Sequence, residues 1–108
     1  MTEAEFERFA TAALTRIAET LELNLGLAAE VDLQDGILTV TLDQGGAYVI
    51  NKHTPNRQIW LSSPRSGASH YGFDAARGTW IDTRSGRTLG LVLAEEFDPI
   101  ASGPLTFG

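Results

Sequence analysis

The chain contains no cysteine among its 108 residues, which excludes disulfide bonds, thiolate metal sites and cysteine nucleophiles. It also contains no apolar run of about 18 residues, the length of a membrane-spanning helix, so we expect no membrane partner. Basic residues are scarce, since eight Lys and Arg face fourteen Asp and Glu and give a net charge of −6. This balance argues against nucleic acid as a partner and favours metal cations or a basic protein surface.

The acidic charge is concentrated at the start of the chain. Residues 1–43 carry nine acidic residues and two arginines, whereas residues 44–87 carry two acidic and six basic residues. The alternative to a functional acidic surface is a solvated face that only keeps a small protein soluble. The acidic N-terminus fits neither a secretory signal nor an Arg-rich transit peptide. We therefore expect a cytoplasmic (bacterial) protein, with the mitochondrial matrix as the alternative for a processed eukaryotic form.

The length predicts one domain over residues 1–108. A capping box formed by Thr2 and Glu5 precedes apolar residues at helical spacing, which predicts a helix ending near residues 24–26. A second helix is predicted after Thr88, its N-cap. Between the helices, alternating apolar residues and turn signals such as Asp35-Gly36 predict six strands, at residues 30–33, 38–42, 47–51, 58–62, 71–73 and 79–82. This order predicts an α+β fold, an antiparallel meander with both helices on one face.

The most informative segment is residues 49–64, V-I-N-K-H-T-P-N-R-Q-I-W-L-S-S-P. It predicts two alternating strands joined by a tight turn at residues 54–56, where Pro fixes φ and Asn tolerates the strained position after it. The alternation places Trp60 beside Asn51 and Gln58 on the solvent face. An exposed Trp is a candidate docking anchor. A Trp half covered by its own neighbours is the alternative.

Metal-binding chemistry in this chain depends on oxygen ligands. The two histidines, His53 and His70, are seventeen residues apart and are interpreted as independent surface residues, with a joint metal site as the alternative. Carboxylates that face solvent from the first helix and first strand form what we call the acidic ridge: Glu3, Glu7, Glu19, Glu22, Glu30 and Asp32. Carboxylates suit hard cations such as ferrous, ferric, calcium or manganese ions. Because exposed carboxylates are well hydrated, we expect roughly micromolar affinity that falls with salt.

Catalysis has little support in the sequence. A ferroxidase centre usually needs Glu and Glu-x-x-His pairs from four helices, and the chain has two predicted helices and no Glu-x-x-His motif. Ser62, Ser63 and Ser69 lie near His70 in sequence, but sequence proximity does not make a catalytic triad. We therefore predict no catalytic residue.

The segment 49–64 closely resembles the signature of the frataxin family, called CyaY in bacteria. The matching residues follow in order as Asn51-Lys52, Thr54-Pro55-Asn56, Gln58-Ile59-Trp60-Leu61 and Ser62-Ser63-Pro64, and the similarity extends over roughly residues 3–97. The resemblance implies a two-layer sandwich, with two helices packed on one face of an antiparallel five-to-seven-stranded sheet. It also implies that the tail at residues 105–107 lies in the groove between the helices and contributes to stability.

The resemblance implies weak binding of Fe²⁺ or Fe³⁺ by the acidic ridge, which also meets the basic surface of a cysteine desulfurase. It implies contacts with the desulfurase and the iron–sulfur scaffold protein by a set of partner-binding residues: Asn51, Lys52, Pro55, Asn56, Gln58 and Trp60. The ridge has fewer acidic residues than the ridge of many relatives, which often carry acids at the positions of Thr11, Ala12, Thr15 and Leu23. His70 stands in a predicted loop, where mitochondrial members often carry Arg, so the contribution of that loop should depend on pH.

The implied function is regulation of iron–sulfur cluster assembly by docking on the desulfurase–scaffold complex. The alternative is an iron chaperone, donor or store with weak ferroxidase activity. The effect on the desulfurase has opposite sign in bacterial and mitochondrial members, and the motifs T-P-N and S-S-P favour the mitochondrial branch and activation. We expect a monomer, with oligomerisation in the presence of iron as an alternative.

Overall fold

A computed structural model describes residues 1–107. The N-terminal ends of both helices follow from the local sequence. Helix α1 (Glu3–Leu25) begins with the predicted capping box, because the Thr2 hydroxyl accepts from the Glu5 N–H at 3.1 Å while Thr2 N–H donates to Glu5 Oε1 at 2.9 Å. Helix α2 (Leu89–Phe97) begins at Thr88, whose hydroxyl accepts from the Leu91 N–H at 3.2 Å. No helix within residues 1–107 is both long and apolar enough to cross a membrane.

Between the helices the chain forms one antiparallel sheet in strictly sequential order, as the meander prediction requires. Its strands are β1 (Ala29–Gln34), β2 (Ile37–Leu42), β3 (Ala47–His53), β4 (Gln58–Ser63), β5 (Gly67–Asp74) and β6 (Thr79–Asp82). Six strands fall within the predicted five to seven, and the α+β two-layer class is confirmed.

Two local predictions about the strands are wrong. Strand β5 begins at Gly67 rather than at residue 71, so His70 lies in a strand, directly opposite Trp60 in the register, and not in a loop. Residues 67–69 lack the β-branched and aromatic side chains that are typical of strands. They form part of β5 because they pair with β4. In the β3–β4 connection the left-handed backbone falls on Arg57, with φ 53°, one residue after the expected Asn56.

The core lies between the sheet and the two helices, and one face of every strand supplies it. The largest fully buried side chains come from α1, β2, β3, β4, β5 and α2: Phe6, Leu14, Leu21, Leu38, Val40, Tyr48, Ile50, Ile59, Leu61, Tyr71, Leu93 and Phe97. The period-two alternation of the strands therefore separates a buried face from an outer face that faces away from the helices.

The C-terminal tail packs between the two helices. Leu105 and Phe107 are partly buried against the core, and Phe107 lines a cavity together with residues of α1 and α2. A Cβ built at Gly90 would lie 3.4 Å from the Phe107 Cβ. Glycine weakens the first turn of a helix by about 1 kcal/mol relative to Ala, and here it permits the close approach of the tail.

Helix α2 is held to the β4–β5 turn by Glu96. Its Oε1 accepts from the Tyr48 hydroxyl at 2.8 Å and from the Ser63 hydroxyl at 2.9 Å, and its Oε2 accepts from the Ser66 hydroxyl at 2.7 Å. The Arg65 guanidinium also donates to the Glu96 carbonyl at 2.7 Å. Ser63 is the one buried polar residue among residues 1–107, so the S-S-P motif serves a structural contact there.

Candidate functional site

The outer face of the sheet carries Trp60, on the side that the alternation predicts. Trp60 in β4 and Asn51 in β3 are directly opposite one another in the register. Two residues further along each strand, Gln58 pairs with His53. These residues are partly exposed, whereas the intervening Ile59 is fully buried. The outer face therefore presents a large indole among neutral polar groups.

Trp60 is enclosed between two imidazoles. The His53 ring lies 3.6 Å from the indole centroid and 8° from parallel, and the His70 ring lies 4.5 Å away at 29°. Because β3 and β5 flank β4 on opposite sides, the two rings cover opposite faces of the indole. Each histidine thus contacts the indole from a neighbouring strand.

Hydrogen bonds fix the remaining polar groups of this face. The Trp60 indole N–H donates to the Gln58 side-chain oxygen at 2.9 Å, and the Asn51 amide donates to the Lys52 carbonyl at 3.1 Å. His53 also belongs to this face, although it was not among the residues predicted to bind a partner. Its spacing of two from Asn51 within one strand was the signal that could have identified it.

Lys52 lies on the opposite side of the sheet from Trp60, because it pairs with the buried Ile59. Its ammonium group binds the Glu7 carboxylate at 2.5 Å, and the Thr54 hydroxyl donates to the same carboxylate at 2.9 Å. These hydrogen bonds, led by the one from Lys52, lower the pKa of Glu7. Lys52 thus joins β3 to α1, while Pro55 and Asn56 are exposed in the adjoining turn.

The acidic ridge is a surface of separate carboxylates. Glu7 is engaged by Lys52 and Thr54, whereas five members are exposed: Glu3, Glu19, Glu22, Glu30 and Asp32. Within residues 1–107 no three acidic or histidine side chains are grouped closely enough to hold a metal ion. The ridge therefore offers a negative field to a cation or a basic surface without a preformed coordination shell.

Comparison with known proteins matches residues 1–103 to the frataxin-like domain. The chain is 40% identical over 98 residues to the mitochondrial frataxin of Dictyostelium discoideum, covering 91% of this chain and 49% of that protein. It is 36% identical over 90 residues to the iron-sulfur cluster assembly protein CyaY of Thioalkalivibrio sulfidiphilus, covering 82% of this chain and 83% of that protein. The chain spans about half the length of several of the curated relatives that it matches.

Solved structures with the same fold include two frataxins. Frataxin from Psychromonas ingrahamii superposes with a TM-score of 0.85 at 26% identity, covering 100% of this chain and 99% of that one. The trimeric frataxin of Saccharomyces cerevisiae complexed with ferrous iron gives a TM-score of 0.70 at 32% identity, covering 95% and 88%. Relatives thus include bacterial and mitochondrial proteins, and one neighbouring structure contains iron.

Proposed function

Because the chain belongs to the frataxin family, we propose that it docks on the cysteine desulfurase–scaffold complex, binds iron weakly and regulates iron–sulfur cluster assembly. The curated relative CyaY is named as an iron-sulfur cluster assembly protein. Docking would use the outer face of the sheet, and the observation that supports this most directly is the partly exposed Trp60 beside Asn51. Its compartment would follow its host: the bacterial cytoplasm or the mitochondrial matrix.

The outer face has the properties of an interface centre. Trp is enriched among the residues that contribute most to binding free energy, and Asn51 and Gln58 supply neutral hydrogen-bonding groups around it. The indole N–H is already satisfied by Gln58, so burying the indole against a partner leaves no unpaired donor. Pro55 and Asn56 extend this face at the exposed turn, while Lys52 contributes by fixing β3 to Glu7.

The acidic ridge would provide the second contact, with a basic protein surface and with iron. Opposite charges at the rim of an interface raise the association rate and set the orientation of the partners. The exposed, separate carboxylates favour a docking role over iron storage, because storage requires ligands that converge on the metal. Iron bound here would be held weakly and would exchange readily.

The docking test compares Trp60→Ala with Leu91→Ala, a matched apolar truncation at an exposed position on α2. Loss of the Trp60 anchor should weaken binding to a purified desulfurase–scaffold complex by about 2 kcal/mol, roughly 30-fold, when binding is measured by calorimetry. The Leu91 variant should bind as the wild type does. Unchanged affinity in a folded Trp60 variant would contradict docking through this face.

A rate measurement distinguishes regulation from iron donation. Sulfide and cluster formation by the reconstituted complex should change saturably when the protein is added at fixed Fe²⁺, and the sign of the change identifies activation or inhibition. Charge reversal at Glu19 and Glu22 separates the roles. Under donation, cluster formation should be lost while desulfurase binding survives, whereas under docking both should weaken together.

A further inference from the structure

A cavity on the helix side of the sheet takes no part in the proposed docking function. It lies between α1, the β5–β6 hairpin, the start of α2 and the C-terminal tail, and we call it the tail cavity; its walls include Ile17, Trp80, Leu89 and Phe107. Its volume is about 480 Å³. Small-molecule sites in proteins usually measure about 300–1,000 Å³, so the tail cavity is large enough for a small ligand.

Aromatic side chains form one wall of the tail cavity. Phe9 of α1 stacks on Phe73 of β5, with ring centroids 4.9 Å apart and planes 7° from parallel, and Phe73 meets Trp80 at 5.2 Å. Phe9 and Phe73 are only partly buried. The opposite side is open, since a Cβ built at Gly78 would meet no neighbouring atom within 4 Å. An apolar ligand body would therefore remove aromatic surface from water, which is favourable.

Both charged residues that line the tail cavity are arginines, although the chain has a net charge of −6. Arg16 of α1 forms no ion pair with a carboxylate within residues 1–107. Arg77 Nε lies 3.7 Å from Asp74 Oδ2, which is beyond hydrogen-bond distance. A third guanidinium, that of Arg8, lies 5.1 Å from the centroid of the Phe9 ring. The rim of the cavity is therefore cationic.

A cationic rim above apolar walls matches one class of ligand. A guanidinium can donate two parallel hydrogen bonds to a carboxylate or a phosphate, and the walls accommodate an apolar body. None of the lining residues within residues 1–107 is acidic, so nothing in the lining offsets the attraction of the rim for an anion or its repulsion of a cation.

We propose that the tail cavity binds a small anionic amphiphile, whose apolar body packs against Trp80 and the Phe9–Phe73 pair and whose carboxylate or phosphate head pairs with Arg16 and Arg77. Such binding does not depend on docking by the outer face, because Phe73 and Trp80 lie on the opposite side of the sheet from Trp60. A bound ligand would also contact Phe107 of the tail, and a ligand that binds only the folded state stabilises that state.

The first test is an NMR titration of the full chain with decanoate and with decyl phosphate. The protein has two tryptophans, and Trp60→Phe assigns their indole N–H signals. With either anion the Trp80 signal should shift saturably, with a dissociation constant of about 1 mM or lower for the tighter one, and the Trp60 signal should not move. Decylammonium, which has the same chain and the opposite charge, should leave both signals in place.

The second test uses two pairs of matched variants in calorimetric titrations with the tighter anion. Ala12→Phe places a ring at the cavity wall and should abolish binding, whereas Ala4→Phe, at an exposed position elsewhere on α1, should not. The double variant Arg16→Gln, Arg77→Gln should bind about ten-fold more weakly. Arg84→Gln, which removes an exposed arginine outside the cavity, should bind as the wild type does.

Thermal unfolding provides a readout of the linkage between ligand and tail. Saturating anion should raise the melting temperature of the wild type and of Ala4→Phe, but not that of Ala12→Phe. A raised melting temperature in Trp60→Ala as well would confirm that the cavity acts independently of the docking face.

Three results would overturn the proposal. A Trp80 signal that stays unmoved by both anions would exclude the site. Equal responses to decanoate and decylammonium, or unchanged affinity in the double arginine variant, would remove the role of the cationic rim. Shifts of both indole signals in parallel would assign the effect to non-specific adsorption of the amphiphile.

Discussion

Replacing Glu96 by Gln should destabilise the protein, because it removes the negative charge that accepts hydrogen bonds from three hydroxyl groups. Tyr48, Ser63 and Ser66 each donate to the carboxylate at 2.7–2.9 Å. Hydrogen bonds to a charged acceptor contribute about 1.5–3 kcal/mol each and those to a neutral acceptor about 0.5–1.5, so the gross loss is about 3 kcal/mol. The smaller desolvation cost of a neutral amide and the partial exposure of the group offset part of it. We expect a net loss of about 1–2 kcal/mol.

The pH dependence follows from the pKa of Glu96. Burial alone would raise this pKa, but the hydrogen bonds from Ser66, Tyr48 and Ser63 and the nearby Arg65 charge together lower it. A carboxyl whose pKa is lower in the folded state stabilises that state above its unfolded pKa of about 4.3 and loses this contribution as the pH falls through the folded value. The difference between wild type and the variant should therefore be full at neutral pH and shrink below about pH 4.

Urea denaturation at about pH 7, 5 and 3.5 measures this difference directly. Glu95→Gln is the matched control, because Glu95 is an exposed neighbour that pairs only with Arg87 among the described residues. Its substitution should change stability by less than about 0.5 kcal/mol. A Glu96→Gln effect that equals the control at neutral pH, or that persists unchanged into acid, would refute the charge-sharing argument.

Three further predictions concern other contacts. Deleting residues 104–108 should lower the melting temperature by several degrees, since the tail covers the core between the helices; an unchanged melting temperature in calorimetry would exclude that role. Lys52→Met should raise the pKa of Glu7 toward its ordinary value in an NMR titration, because the strongest hydrogen bond to that carboxylate is lost; an unmoved pKa would contradict the ion pair. Fe²⁺ affinity should fall as salt is raised and fall again in a Glu19→Gln, Glu22→Gln variant, and salt-independent binding would argue against an open ridge.

Helix ends and strand faces were predictable because they depend on near neighbours in sequence. The Thr2 capping box and the Thr88 N-cap each involve residues within one helical turn. The buried face of β3 and β4 follows from a period of two. Asn51 and Lys52 were both predicted to bind a partner. Because successive strand residues point to opposite faces, the same period of two places them on opposite sides of the sheet.

Contacts that depend on register or on distant residues were not predictable. The stack of the two imidazoles on Trp60 needs His70 opposite Trp60, and this pairing exists only because β5 extends to Gly67. The small residues at the beginning of β5 do not predict a strand. The bond between Ser63 and Glu96 joins residues 33 apart in sequence, and no local pattern signals it. Whether the ridge carboxylates converge is likewise a question of tertiary distances, and within residues 1–107 they do not form a metal site.

The sequential strand order has a consequence for how the chain folds. Each strand pairs with the strand next to it in sequence, so every hairpin can close over a short loop with a small entropy cost. Contacts of α1 with β1 and β3, and of α2 with β6, attach the two terminal helices to the sheet. Low contact order favours rapid folding, and a transition state built from the central hairpins would leave α2, its Glu96 contacts and the tail to dock last.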